Sequence, residues 1–246
     1  MTSAPAADQV RLLEVQALDT KAAQLAHARV SHPALATVTE LAGRLAELEE
    51  QLVTARTAVS DTRREVSKAE TDVEQVRSRA VRDQSRLDSG AVSVKDVQAL
   101  SSELEALARR QSDLEDAELE VLERLEQQEA VLTRAERTRE ELVEQHRRVA
   151  AELEGALAEL DEQADRFAAD RAERAAGLDA DLVALYDKLR AHLGGLGVAP
   201  LRGRRCEGCQ LELNSSELAR IMAAPPDEVL RCEECGRILV RVDIAG

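Results

Sequence analysis

The sequence predicts a mainly α fold: a long antiparallel coiled-coil helical hairpin over residues 1–195, then a small four-cysteine module over 196–246. Three observations predict it. The 246 residues include no Trp, one Tyr (Tyr186) and one Phe (Phe167), and a large globular core without aromatic rings lacks a main source of buried area. Charged residues make up 33% of the chain, and Ala, Leu, Val, Glu and Arg dominate, the profile of long helices and coiled coils. Apolar residues also recur at alternating steps of three and four on both sides of Gly90, which is the heptad pattern of a coiled-coil seam.

The elements follow in order. Asp8 is placed to cap a first helix, roughly residues 8 to 31. Pro33 interrupts it, because the ring removes an N–H and pushes His32 away from helical dihedrals. A first seam then runs Val38, Leu41, Leu45, Leu48, Leu52 and Ala55, and keeps register to Ala80 with Thr62 as its polar exception. The break near 88–92, Asp88-Ser89-Gly90-Ala91-Val92, is expected to be the hairpin tip. Ser93 reads as the next N-cap, with Asp96 at the third helical position in a variant of the capping box. The second seam runs from Val97, Leu100, Leu104 and Leu107 to Phe167. His146, Glu118 and Arg139 are read as polar seam residues that specify register rather than as ligands.

Folding the chain back at Gly90 puts Leu45 opposite Ala135, Leu48 opposite Leu132, Val59 opposite Val121 and Thr62 opposite Glu118. A shift of one heptad also matches apolar residues. At 1.5 Å per residue the outgoing helix spans roughly 80 Å. The N-terminal helix is expected beside residues 150–172, with Gly155 and Gly177 as bending points. Leu178, Leu182, Leu185, Tyr186 and Leu189 form a further amphipathic stretch, which Gly194-Gly195-Leu196-Gly197 ends. Tyr186 is expected to pack where the helices meet the last module.

All four cysteines fall in that module as two C-x-x-C pairs, Cys206/Cys209 and Cys232/Cys235. Two close thiolates on each of two tight turns complete a tetrahedral four-sulfur site, so the module reads as a zinc ribbon holding one structural Zn2+. So short a segment with few apolar groups needs the metal to fold. Gly208 and Gly236 are expected to ease the bend of each turn. Two redox pairs are disfavoured because no βαβ pattern surrounds them, and four thiolates leave no open position for a catalytic water. Arg202, Arg204, Arg205, Arg231, Arg237 and Arg241 crowd the cysteines. They either balance the charge of the metal–thiolate centre or contact phosphate or an acidic partner.

The formal net charge is -15, so the chain as a whole repels nucleic acid and anionic membranes. No apolar run approaches the ~20 residues needed to span a bilayer, and the start has no signal-peptide pattern. A cytoplasmic, non-enzymatic protein is therefore expected: no phosphate loop, nucleophile elbow or catalytic dyad is present. The intramolecular seam suits a monomer or weak dimer. If nucleic acid binds, it binds at the ribbon, which is near neutral and carries no aromatic side chain for stacking bases.

Several segments together carry a resemblance. Cys232-Glu233-Glu234-Cys235-Gly236-Arg237-Ile238-Leu239 looks like the closing signature of the bacterial zinc-ribbon proteins with an N-terminal coiled-coil hairpin, the FlgZ-like family. Leu185-Tyr186-Asp187-Lys188-Leu189-Arg190 resembles its pre-ribbon helix. Lys95, Asp96, Ala99, Leu100 and Glu103 resemble its hairpin-tip motif, although Val97 and Val240 stand where aromatics are usual. The resemblance implies an adaptor or chaperone-like protein, whose relatives bind an alternative sigma factor, secretion components or a messenger RNA. It makes Lys95, Asp96, Leu100 and Glu103 candidates for protein partners. Arg202, Arg204, Arg205 and Arg237 are the candidates for nucleic acid or a partner at the ribbon. The Arg-rich, Lys-poor composition suggests a high-GC, actinobacterial genome.

Overall fold

A computed structural model of the chain describes residues 3–242. The elements are α1 (Ala6–Val30), α2 (Pro33–Asp88), α3 (Val94–Ala176), α4 (Ala180–His192), β1 (Val198–Arg202), β2 (Arg205–Cys206), α5 (Ser215–Ala223) and β3 (Ile238–Arg241). Pro33 sits at the first position of α2, where its missing N–H costs nothing. Asp8 is not the cap of α1. That helix begins after Pro5 without a side-chain cap, and Asp8 instead accepts the Asp179 N–H at 3.0 Å. Asp179 in turn caps α4 by accepting the Leu182 N–H at 2.9 Å. At the tip, Gly90 takes a positive φ of 65°. Ser93 accepts the Asp96 N–H at 3.3 Å, so it caps α3 as expected, but the Asp96 carboxylate accepts the Ser93 hydroxyl at 2.7 Å rather than the N-cap amide of a full capping box. α3 runs through Gly155 without interruption and ends at Ala176.

The described residues group into two compact units, one within 1–35 and 151–246, the other within 36–150. In the second, the seam positions Leu52, Val59, Thr62, Val66 and Val73 are buried. The ion pairs between the helices settle the register. In the expected pairing Arg56 meets Glu129 and Glu49 meets Glu136, a like-charge contact. Arg56 bonds Glu136 at 2.9 Å, Arg63 bonds Glu129 at 2.6 Å, Arg77 bonds Glu115 at 3.2 Å, and Arg124 pairs with Glu65. Only the alternative shifted by one heptad brings these flanking residues together. It sets Leu45 opposite Leu142, Val66 opposite Val121, Val73 opposite Leu114 and Thr62 opposite Leu125. Apolar spacing is degenerate by one heptad, and complementary charge beside the seam lifts that degeneracy. Exposed pairs of this kind contribute up to about 1 kcal/mol each, so they choose the register while the buried seam supplies the stability.

In the other unit, α1 lies along the end of α3, tied by Arg29–Asp161 at 2.8 Å, Arg171–Asp19 at 3.3 Å and Arg174–Glu14. The three strands form one sheet in the order β2-β1-β3. β1 pairs antiparallel with β2 and parallel with β3, with Val198 beside Ile238 and Pro200 beside Val240. Both faces of the sheet are covered. Val198, Ile238 and Val240 pack with Ala4, Leu12, Val15, Leu182, Tyr186 and Leu189. Ala199, Leu201 and Leu239 face Cys206, Leu213, Ile221, Leu230 and Cys232. Tyr186 is fully buried in the first of these cores, as its expected place required. The sheet of the ribbon therefore shares a core with α1 and α4. The last four residues of the expected ribbon lie outside the described range.

A candidate four-cysteine metal centre

Each C-x-x-C pair sits on a tight backbone turn, and the two turns repeat the same bonds. The Gln210 N–H donates to the Cys206 carbonyl at 2.8 Å, and the Cys206 N–H to the Leu211 carbonyl at 3.0 Å. The Gly236 N–H donates to the Cys232 carbonyl at 2.8 Å, and the Cys232 N–H to the Arg237 carbonyl at 3.0 Å. An arginine precedes each pair and braces it: Arg205 Nε reaches the Gln210 carbonyl at 2.9 Å, and Arg231 Nε the Gly236 carbonyl at 2.7 Å. The left-handed position falls after the second cysteine of each turn, at Gln210 (φ 63°) and Gly236 (φ 73°). Gly208 serves space rather than backbone freedom. A Cβ there would lie 2.8 Å from both the Ala199 Cβ and the Arg237 Cδ.

The four sulfurs lie within 4.8 Å of one another. Cys206 and Cys235 are 3.9 Å apart, and Cys209 and Cys232 are 4.0 Å apart. Zinc–sulfur bonds of about 2.3 Å in a tetrahedron require sulfur–sulfur edges of roughly 3.8 Å, so the donor set fits a zinc ion by type, number and spacing. Cys206 and Cys232 are buried, and Cys209 and Cys235 are half-buried. Burial pushes the Cys206 thiol up to about 12, against the pull of the Cys209 and Gly208 amides on its sulfur. Burial likewise raises Cys232. At Cys235 burial is outweighed by hydrogen bonds from the Arg237 backbone and side chain, and its thiol is lowered.

A metal must displace the proton from Cys206 at neutral pH, and coordinating thiolates are deprotonated. Titrating zinc into the stripped chain at pH 7 is therefore expected to release protons. The apparent affinity should fall as pH falls. Calorimetry in buffers of different ionisation enthalpy measures the release, and a buffer-independent heat would contradict it.

The surrounding arginines divide by role. Arg237 donates to the Leu196 carbonyl at 2.9 Å and the Leu193 carbonyl at 3.2 Å, which ties the segment just after α4 to the second turn. Arg241 holds the Ile221, Ala224 and Pro225 carbonyls. Arg202 and Arg204 are exposed, and their guanidinium groups have no partner among the described residues. Of the four ribbon candidates, the structure thus leaves those two turned to solvent, while Arg205 braces a turn and Arg237 is partly buried. At the hairpin tip, Lys95 and Asp96 are exposed and Leu100 is half-buried. Asp96 accepts the Ser93 hydroxyl, and Glu103 is engaged with Arg79 at 2.5 Å. Val94 beside them is 90% exposed. The repeated Arg-Cys-x-x-Cys spacing was the available signal for the bracing role of Arg205 and Arg231. No local signal marked Gln210.

Residues 15–194 match the family described as the CT398-like coiled coil hairpin domain, and residues 205–239 match the C4-type zinc ribbon domain. An uncharacterized protein of Mycobacterium tuberculosis is 38% identical over 237 residues, 96% of this chain and 96% of its own length. One of Mycobacterium leprae is 31% identical over 189 residues, 77% of this chain and 81% of its own. A solved structure from Mycobacterium smegmatis is similar with a TM-score of 0.85 and 36% identity, covering 98% of this chain and 100% of that one. CT398 from Chlamydia trachomatis shares the fold at 19% identity and a TM-score of 0.51, covering 96% of this chain and 98% of its own.

Proposed function

We propose, for a chain that belongs to the family of the CT398-like coiled coil hairpin domain, a non-enzymatic cytoplasmic adaptor or chaperone-like role of the kind the FlgZ-like resemblance implies. In this reading one zinc ion is structural, the hairpin is a rigid arm, and protein partners dock at its tip and on the ribbon. The observation that carries the reading is the closed donor set. Four convergent thiolates fill a tetrahedral ion and leave no position for substrate or water, so the metal serves to shape a surface. The tip supports the docking role, since Val94, Lys95 and Asp96 stand exposed there. Among the described residues no helix is long and apolar enough to cross a membrane.

The free guanidinium groups of Arg202 and Arg204 favour a second reading, a regulator that binds RNA or DNA through the ribbon. Both are tested with the purified zinc-loaded chain, a tip variant (Lys95→Ala with Leu100→Asp) and a ribbon variant (Arg202→Ala with Arg204→Ala). The adaptor reading expects a protein retained by the parent and lost with one of the two variants. An identical set captured by all three would overturn it. The nucleic-acid reading expects binding to a mixed RNA and DNA pool that falls steeply with salt and disappears in the ribbon variant.

A further inference from the structure

One buried carboxylate has no place in the four-sulfur site and yet touches it. Glu217 is 3% exposed and lies at the third position of α5, where its own N–H donates to the Asn214 cap at 2.8 Å. In a capping box the carboxylate at this position turns back to the N-cap amide. Here it points across the ribbon instead, and its Oε1 accepts the Glu233 N–H at 3.0 Å.

Glu233 is the residue between Cys232 and Glu234 in the second metal turn. The next two amides of that turn, Glu234 and Cys235, are directed at the Cys232 sulfur. The Glu233 amide is the one that departs from this pattern, and Glu217 supplies its acceptor. The start of α5 favours a negative charge there, which offsets the cost of burying the carboxylate. A second tie runs nearby on the surface, where Arg220 of α5 meets the Glu233 side chain at 2.9 Å.

We infer that Glu217 is a positioning residue of the metal centre. By holding the Glu233 amide it fixes the orientation of the Cys232–Cys235 turn, and so makes α5 part of the zinc site rather than a filler between its halves. Groups that orient metal ligands from behind typically change metal affinity by about 10–100-fold when removed.

The test uses the full zinc-loaded chain and follows metal transfer to a chromogenic chelator, together with hydrogen exchange at the Glu233 amide. Glu217→Ala is expected to lose zinc at least about tenfold faster and to expose the Glu233 amide. Glu217→Gln keeps an acceptor oxygen, so its rate should stay within about threefold of the parent. Arg220→Ala removes only the exposed ion pair and should leave the rate close to the parent's. Glu217→Ala losing zinc at the parent rate would overturn the inference, and so would Glu217→Gln losing it as fast as Glu217→Ala. If Glu217→Ala does not fold, the Gln variant decides alone: parent-like retention with a protected Glu233 amide supports the role, and rapid loss refutes it.

Discussion

Stripping the metal from the full chain is expected to melt the ribbon while the coiled coil of residues 36–150 stays helical. The segment from β1 to β3 builds the core on one face of the sheet around Cys206 and Cys232, with Leu201, Leu213, Ile221, Leu230 and Leu239. Without zinc, that core brings four thiols together and buries two of them with nothing to bind. Structural zinc contributes on the order of 10–16 kcal/mol in small fingers, which matches or exceeds the whole stability of a typical domain. The seam through Leu52, Val59, Val66 and Val73 shares no residue with the site. Hydrogen exchange after chelation should show protection lost across 205–239 and kept across 41–73. Protection surviving in 205–239 without metal would mean that the sheet folds on its own packing.

The second large effect is expected at Tyr186. Its ring is fully buried among residues of α1, α4 and the sheet, and its hydroxyl donates to Asp19 at 2.7 Å. Asp19 is itself buried and also faces Arg171 and Arg190. The fit is close on the other side too, since a Cβ on Gly197 would come within 2.9 Å of the Tyr186 ring and carbonyl. Tyr186→Ala removes the ring and a partner of a buried carboxylate, and is expected to cost about 3–5 kcal/mol. Tyr186→Phe keeps the ring and loses one bond to a charged acceptor, about 1.5–3 kcal/mol. Because the chain has two units, the effect should be read locally, as faster amide exchange at Leu189 and Ile238. Equal exchange in both variants would place the whole effect in the hydroxyl. Burial, then the Asp19 bond, raises the Tyr186 pKa. Its share of stability is therefore intact below the ordinary tyrosine value and is lost only as pH climbs past it into strong alkali.

Much of this was legible in the residues. The residues showed the two helices, the tip and the Ser93 N-cap, since each rests on local rules that little else competes with. The four ligands were equally plain, because two C-x-x-C pairs leave few alternatives. The register was not, because a heptad repeat matches itself after seven residues. The information lay in Arg56, Arg63, Glu129 and Glu136 beside the seam, not in the seam. The run Ile238-Leu239-Val240 reads as a poorly alternating strand. Its three residues are nearly fully buried because helices cover one face and the cysteine core covers the other, and two-sided burial erases alternation. Arg237 looked like a surface cation because sequence cannot show that the Leu193 and Leu196 carbonyls lie beside it. Glu217 was hidden for the same reason: its acceptor role depends on a turn 16 residues away.

The proposed role depends on a closed, four-sulfur zinc site, and X-ray absorption at the zinc edge of the purified chain tests that site most directly. One zinc per chain with four sulfur neighbours at about 2.3 Å is the expected result. A shell with an oxygen or nitrogen neighbour would contradict it, because an open position at the metal would remove the argument against catalysis.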